Sequence, residues 1–191
     1  MKKWRVSDIR WANRLDLELP FWMDWNKQNP LPSGFWQRIW EYPYLLSRIP
    51  SSAKCLDIGG TYPFVLFPNY PNAISIDCRD LNTLNHPLHL GKWPKEKLVV
   101  CDAADTPFAD DAFDYVFSIS ALEEMPDILG VMKEMIRLSS FRIVVTLDVS
   151  DQLGLSHIKL RELEDFLNIS IPRLPVNCLH SLSPELENKV R

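Results

Sequence analysis

The residues best placed to do chemistry sit at the ends of two apolar runs. Cys55-Leu56-Asp57-Ile58-Gly59-Gly60 is the first, and Ala73-Ile74-Ser75-Ile76-Asp77 is the second. Glycines just past a strand let the backbone bend sharply and approach a ligand that a Cβ would push away. An acid at the tip of the next strand can accept hydrogen bonds from both hydroxyls of a ribose. The pair therefore points to a ligand that carries a ribose.

Charge decides what else that ligand carries. A pyrophosphate is held by a glycine-rich turn feeding a helix N-terminus, often with basic residues nearby. Between Lys54 and Arg79 there is no Lys or Arg, whereas Asp57 and Asp77 belong to the same strand-end crevice. A cationic adenosine derivative suits such walls better than an anionic dinucleotide, and S-adenosylmethionine, with its sulfonium, is that kind of ligand. Arg79 follows the second acid, where an arginine can serve an NADP 2′-phosphate. Asp77 would repel that phosphate, so Arg79 is expected to be solvated. A third acid, Asp102, follows Leu98-Val99-Val100-Cys101. There it can accept from an adenine amino group while the Ala103 amide serves a ring nitrogen.

The elements that must position these residues alternate. Short apolar runs bounded by Gly and Pro read as buried parallel strands, and the spacing from Lys54 to Asp77 fits strand, tight turn, short helix, parallel strand. A turn through Thr106–Asp114 leads to a fourth strand, Tyr115–Ser120. A helix follows, with Pro126 near its first turn and Ile128, Leu129, Met132, Met135 and Ile136 on its apolar side. Phe141–Leu147 is the fifth strand. Ser156 can cap a last helix with Leu160, Leu163, Phe166 and Leu167 at helical spacing. Val176–Leu182 can form one more strand, which leaves the sheet abbreviated at its C-terminal edge. The fold class is thus α/β, a Rossmann-like doubly wound and mainly parallel sheet with helices on both faces.

Composition bounds the function. The 191 residues are 46% hydrophobic, enough for a substantial core, and the formal charge is −4. Scattered basic residues argue against nucleic acid as a partner, because phosphate binding shows a clustered basic face. No run approaches the ~20 apolar residues that span a bilayer, and Arg5, Asp8 and Arg10 interrupt any leader after Met1-Lys2-Lys3. A cytoplasmic protein is expected. Cys55, Cys78, Cys101 and Cys178 form no CxxC or Cys/His cluster, so they read as small buried hydrophobes in a reducing compartment, and no metal is expected. His86 and His89 lack a third ligand nearby and read as polar loop residues.

Six of the seven tryptophans lie in residues 1–50, cut into short pieces by Pro20, Pro30, Pro32, Pro43 and Pro50. Ser33–Trp40 begins a helix that Pro43 bends or restarts. Residues 1–50 are expected to form an aromatic-rich helical cap packed on the α/β domain of residues 51–191. Its rings either pack helices onto the sheet or form a lid over an acceptor substrate.

The ordered series LDIGG, SID and VVCDAADTPFADDAFDYVFSISALEEMPD resembles the class I S-adenosylmethionine-dependent methyltransferases from Lys54 to Leu147, about half of the chain. Trp40-Glu41-Tyr42-Pro43 is a fainter likeness. The resemblance implies that Gly59, Gly60 and Thr61 pass beneath the methionine part of the cofactor, with Asp57 orienting the turn. It implies that Asp77 binds the ribose, that Asp102 and Ala103 frame the adenine, and that Ser118 and Ser120 lie beside the sulfonium and the acceptor. The family's turn is Asp-x-Gly-x-Gly-x-Gly, whereas Thr61 and Pro63 stand here at the second and third glycine positions, and Leu138-Ser139-Ser140 replaces its Pro-Gly-Gly turn.

The expected activity is methyl transfer from S-adenosylmethionine to a small-molecule acceptor by in-line displacement. A catalytically degenerate binding or assembly module is the alternative, and an NAD(P) oxidoreductase is disfavoured because GxGxxG is absent. No catalytic base is assigned. His157, on the loop after the fifth strand, and Glu123 and Glu124 are within sequence reach, each with a plain reading as a solvated loop or helix-end residue.

Overall fold

The computed structural model describes Asp24, Lys27, Gln28 and residues 38–83, 92–149 and 157–171. Two compact units make up the chain: Leu46–Leu163, which holds the sheet, and Met1–Leu45 together with Glu164–Arg191. The sheet has five strands, β1 (Cys55–Ile58), β2 (Ile74–Asp77), β3 (Leu98–Val100), β4 (Phe113–Ile119) and β5 (Ser139–Thr146). Their spatial order is β3-β2-β1-β4-β5, and every pairing is parallel. The described helices are α1 (Arg38–Arg48), α2 (Pro63–Asn69), α3 (Ile128–Leu138) and α4 (His157–Leu167), with 3-10 turns at Lys95–Lys97 and Leu122–Glu124.

Each element follows from local residue choice. All four residues of β1 are buried, as expected of a central parallel strand covered on both faces. Pro63 opens α2, where its missing N–H is no loss and its fixed φ is already helical. Asp127 caps α3 by accepting a hydrogen bond from Gly130 N at 2.8 Å. The buried side of α3 is Ile128, Val131, Met132, Glu134, Met135 and Leu138. Leu129 and Ile136, expected on that side, are half-buried, and an acid lies among the apolar residues.

The middle of the sheet carries the core. Leu56, Ile76, Val116 and Phe117 are inaccessible to solvent, and the Phe117 ring lies 6.1 Å from that of Tyr70. Each such side chain contributes roughly 1.5–3 kcal/mol by leaving water.

Several boundaries differ from expectation for physical reasons. α1 continues through Pro43 to Arg48 instead of restarting; Tyr42, Pro43 and Leu45 are all buried there. β4 begins at Phe113 and β5 at Ser139. Ser139 and Ser140 read as turn residues, but in β5 their hydroxyls donate to the carbonyls of Arg142 (2.9 Å) and Phe113 (3.1 Å). The cysteines are not uniformly buried: Cys55 is buried, Cys101 half-buried and Cys78 exposed. Burial and the nearby charges of Asp114 and Asp57 push the Cys55 thiol up to about 12, so it stays protonated. Cys178, the Trp-rich segment before residue 38 apart from Asp24, Lys27 and Gln28, His86, His89 and the expected strand at Val176–Leu182 lie outside the described residues.

Among the described residues, no helix is long and apolar enough to cross a membrane, and no group of three or more His, Cys, Asp or Glu is gathered as a metal site would need. Strand order reverses between β1 and β4. In open parallel α/β sheets that switch point, outside the carboxyl ends of the strands, is where ligands bind.

Candidate cofactor site

At the end of β1 the chain turns through Gly59 (φ 96°) and Gly60 (φ 72°), a left-handed conformation that L side chains rarely adopt. Space enforces the same choice. A Cβ on Gly59 would meet the Ala121 Cβ at 2.3 Å, and one on Gly60 would meet Leu81 Cδ1 at 2.4 Å. The turn is bonded sideways to β2, with Gly59 N donating to Ile76 O at 3.0 Å.

Asp57 is fully buried beneath this turn. It accepts from Thr61 N (2.8 Å), Thr61 Oγ1 (2.6 Å) and Ser75 Oγ (2.7 Å). Burial raises its pKa from 3.8 to about 6, while the hydrogen bonds from Thr61 and Ser75 pull the other way. Thr61, which stands where a glycine is usual, thus supplies two of the three donors that fix the turn. Ser75, on the neighbouring strand, supplies the third.

Asp77 ends β2 and is largely buried. Its Oδ1 accepts from Arg79 N (2.9 Å) and Arg79 Nε (3.1 Å). Arg79 is mostly exposed but it is not merely solvated: it pairs with Asp77, whose hydrogen bond and charge raise the arginine's pKa. Oδ2 accepts no hydrogen bond from the described residues and faces the turn, 3.7 Å from where a Gly60 Cβ would stand. One carboxylate oxygen is therefore anchored and the other open, the arrangement a diol-binding acid needs. The short loop after β3 is tied to this point, since Cys101 N donates to Asp77 O at 3.1 Å.

Asp102 is exposed, and its Oδ1 accepts from Ala104 N at 2.8 Å. Asp105 N donates to Asp102 O at 3.2 Å, closing a tight turn with Ala103 half-buried inside it. On the other side of the switch point Ser118 is fully buried and its hydroxyl donates to Ile58 O at 2.9 Å, bracing β4 against the end of β1. Ser120 lies one residue past β4 at φ 42°, and its N–H is shared between Thr146 O and Thr146 Oγ1, both at 3.1 Å.

The tips of β1, β2 and β4 thus bring Asp57, Gly59, Gly60, Thr61, Asp77, Ser118 and Ser120 to one edge of the sheet, and Asp102 and Ala103 follow the adjoining strand. Less bare negative charge lies there than the sequence suggests. Asp57 is sealed from solvent and Asp77 shares its charge with Arg79. The open Asp77 and Asp102 oxygens and the two glycines nonetheless suit an adenosine-containing ligand.

Glu123 is buried, not solvated, and accepts from Asp148 N at 3.0 Å, linking the segments that follow β4 and β5. Glu124 is exposed, and His157 is the first residue of α4 instead of a loop residue. Sequence reasoning missed Glu134. Its i,i+3 spacing to Arg137 and its place on the stripe with Val131 and Leu138 were the available signals.

The fold and the site define a Rossmann-like α/β domain with a two-glycine turn at its switch point. A family model described as "Methyltransferase domain" matches residues 69–140, from the end of α2 through α3. The chain is similar to the ubiquinone/menaquinone biosynthesis C-methyltransferase of Rickettsia prowazekii (strain Madrid E), 25% identical over 179 residues, covering 86% of this chain and 66% of that protein. Among solved structures, the [4+2]-cyclase SpnF has a TM-score of 0.49 at 17% identity, covering 84% of this chain and 74% of that one. The PH0226 protein of Pyrococcus horikoshii OT3 has a TM-score of 0.44 at 20% identity, covering 76% and 70%. The family match, over less than half of the chain, and the sequence relative, of whose length the chain spans 66%, make it similar to methyltransferases. The matched segment includes Asp77, Asp102, Ala103, Ser118 and Ser120, and begins after the glycine turn.

Proposed function

We propose that this chain transfers a methyl group from S-adenosylmethionine to a small-molecule acceptor by in-line displacement. The observation that carries the reading is the half-anchored carboxylate of Asp77, its Oδ2 turned toward the positive-φ Gly59-Gly60 turn at the switch point. Asp77 Oδ2 holds the ribose hydroxyls, the glycine turn underlies the methionine part, and Asp102 with the Ala103 amide reads the adenine edge. Bound there, S-adenosylmethionine supplies a methyl carbon already activated by a positively charged sulfur. The residues of this chain then have to align the acceptor, and alignment of this kind lowers a barrier by about 7–11 kcal/mol.

The relative's name assigns it to C-methylation in ubiquinone and menaquinone biosynthesis, which supports a small acceptor here. Ser120 and Ala121 follow β4 directly, Ala121 lying against Gly59, and are the residues proposed to lie next to it.

A thermal-shift titration tests the cofactor part. At 100 times its Kd a ligand stabilises by about 2.7 kcal/mol, so S-adenosylmethionine and S-adenosylhomocysteine are expected to raise the Tm while NAD and NADP leave it unchanged. Asp77→Ala is expected to abolish the rise. An unchanged rise in that variant would refute the ribose contact. Binding without transfer of labelled methyl across a panel of acceptors would favour a binding module that has lost turnover.

A further inference from the structure

The segment that joins β3 to β4 carries the two residues proposed to read adenine; its tight turn closes on itself through Asp102, and its place against the rest of the domain is set by ties at both ends. Its first end is tied to β2 through Cys101 N and Asp77 O. Its other end is held from α3. Glu134, buried on that helix, accepts from Thr106 N at 3.0 Å and from Thr106 Oγ1 at 2.6 Å, both on Oε1. Arg137, one turn on, clamps the same carboxylate from both sides, Nε to Oε2 at 2.7 Å and Nη2 to Oε1 at 2.5 Å. Arg137 also reaches Asp110 Oδ1 at 2.8 Å, and its carbonyl accepts from Asp111 N at 2.9 Å. Every one of these contacts ends on the β3–β4 segment or within the helix that holds it.

A buried carboxylate with four donors is a costly feature to place on the apolar side of a helix unless its geometry matters. The short turn of Asp102–Asp105 lies between the two ties and ends at Thr106, so its register relative to β2 depends on both. We infer that Glu134, oriented by Arg137, is a positioning residue for adenine recognition: it fixes Thr106 and thereby sets Asp102 and the Ala103 amide at the spacing an adenine edge requires. This inference rests on the proposed cofactor reading and adds to it a specificity determinant remote from the ligand.

The experiment compares two ligands that differ only in the base. Wild type is titrated calorimetrically with S-adenosylhomocysteine and with S-inosylhomocysteine, whose ring carries a carbonyl where adenine has its amino group. Wild type is expected to prefer the adenine ligand by roughly tenfold, which is about 1.4 kcal/mol. Glu134→Ala is expected to bring the ratio to roughly unity. Glu134→Gln, whose amide oxygen can still accept from Thr106, is expected to restore part of it. A merely structural role would lower the Tm of Glu134→Ala and leave the ratio of the two affinities as in wild type, and that result would overturn the inference. If Glu134→Ala does not fold, Thr106→Val removes only the hydroxyl contact; an undiminished ratio there would likewise overturn it. Failure of wild type to bind either ligand would remove the cofactor reading itself, whereas binding with equal affinity for the two bases would remove the inference alone.

Discussion

A carboxylate sealed as completely as Asp57 is favoured in its neutral form, and its three hydrogen-bond donors only partly reverse that. Its folded-state pKa, about 6, lies above the ordinary 3.8, so the folded chain binds this proton more tightly than the unfolded chain does. The stabilising contribution is therefore complete below the unfolded value and is lost as pH rises through about 6. Glu134 behaves oppositely. Burial alone would push its carboxyl up, but the hydrogen bonds from Arg137 and Thr106 more than offset this and lower it from 4.5 to about 2. Its contribution is present above 4.5 and fades as pH falls toward 2. The Tm is thus expected to rise as pH is lowered from about 7 to about 5, and Asp57→Asn is expected to flatten that rise. Scanning calorimetry across the range checks this; an identical slope in the variant would show that Asp57 is not the group responsible. The strand-end positions of Asp57, Asp77 and the two glycines were legible in the sequence because a short apolar run that stops at an acid or a glycine marks where a strand ends. The Asp77–Arg79 pair and the burial of Glu123 and Glu134 were not, since they depend on which way a side chain turns once the strands are paired.

The elements show the same division. β1 and β2 could be read from short apolar runs with acids at their tips, and α3 from its helical periodicity, because one-dimensional pattern alone distinguishes those periods. Ser139 and Ser140 escaped because two consecutive hydroxyl residues resemble a turn, yet Arg142 in β5 and Phe113 in β4 offer them carbonyls and the strand extends over them. The start of α3 is a local feature with a local test. Asp127 satisfies Gly130 N, one of the donors that a helix leaves open at its first turn. Asp127→Ala is expected to destabilise the protein by about 1 kcal/mol, within the range for lost N-caps. Urea unfolding would measure it as a lower midpoint with an unchanged slope. A neutral result would mean that packing of Ile128, Val131 and Met132 alone holds that end of the helix.

At the scale of the molecule, a parallel sheet of order β3-β2-β1-β4-β5 places the ends of β1 and β4 side by side and flanks them with β2. That arrangement gathers residues from Asp57 to Ser120, far apart in the chain, along one edge. Topology was readable in outline from the alternation of strand and helix patterns; the acceptor was not, because specificity resides in loops that no periodicity describes. On the proposed function, this edge binds the adenosine of S-adenosylmethionine. A crystal structure of the protein with S-adenosylhomocysteine tests it most directly. The expected result is a ribose whose hydroxyls lie within hydrogen-bonding distance of Asp77 Oδ2, above Gly59 and Gly60, with the adenine amino group at Asp102. A nucleoside bound elsewhere, with Asp77 Oδ2 left facing solvent, would contradict the account.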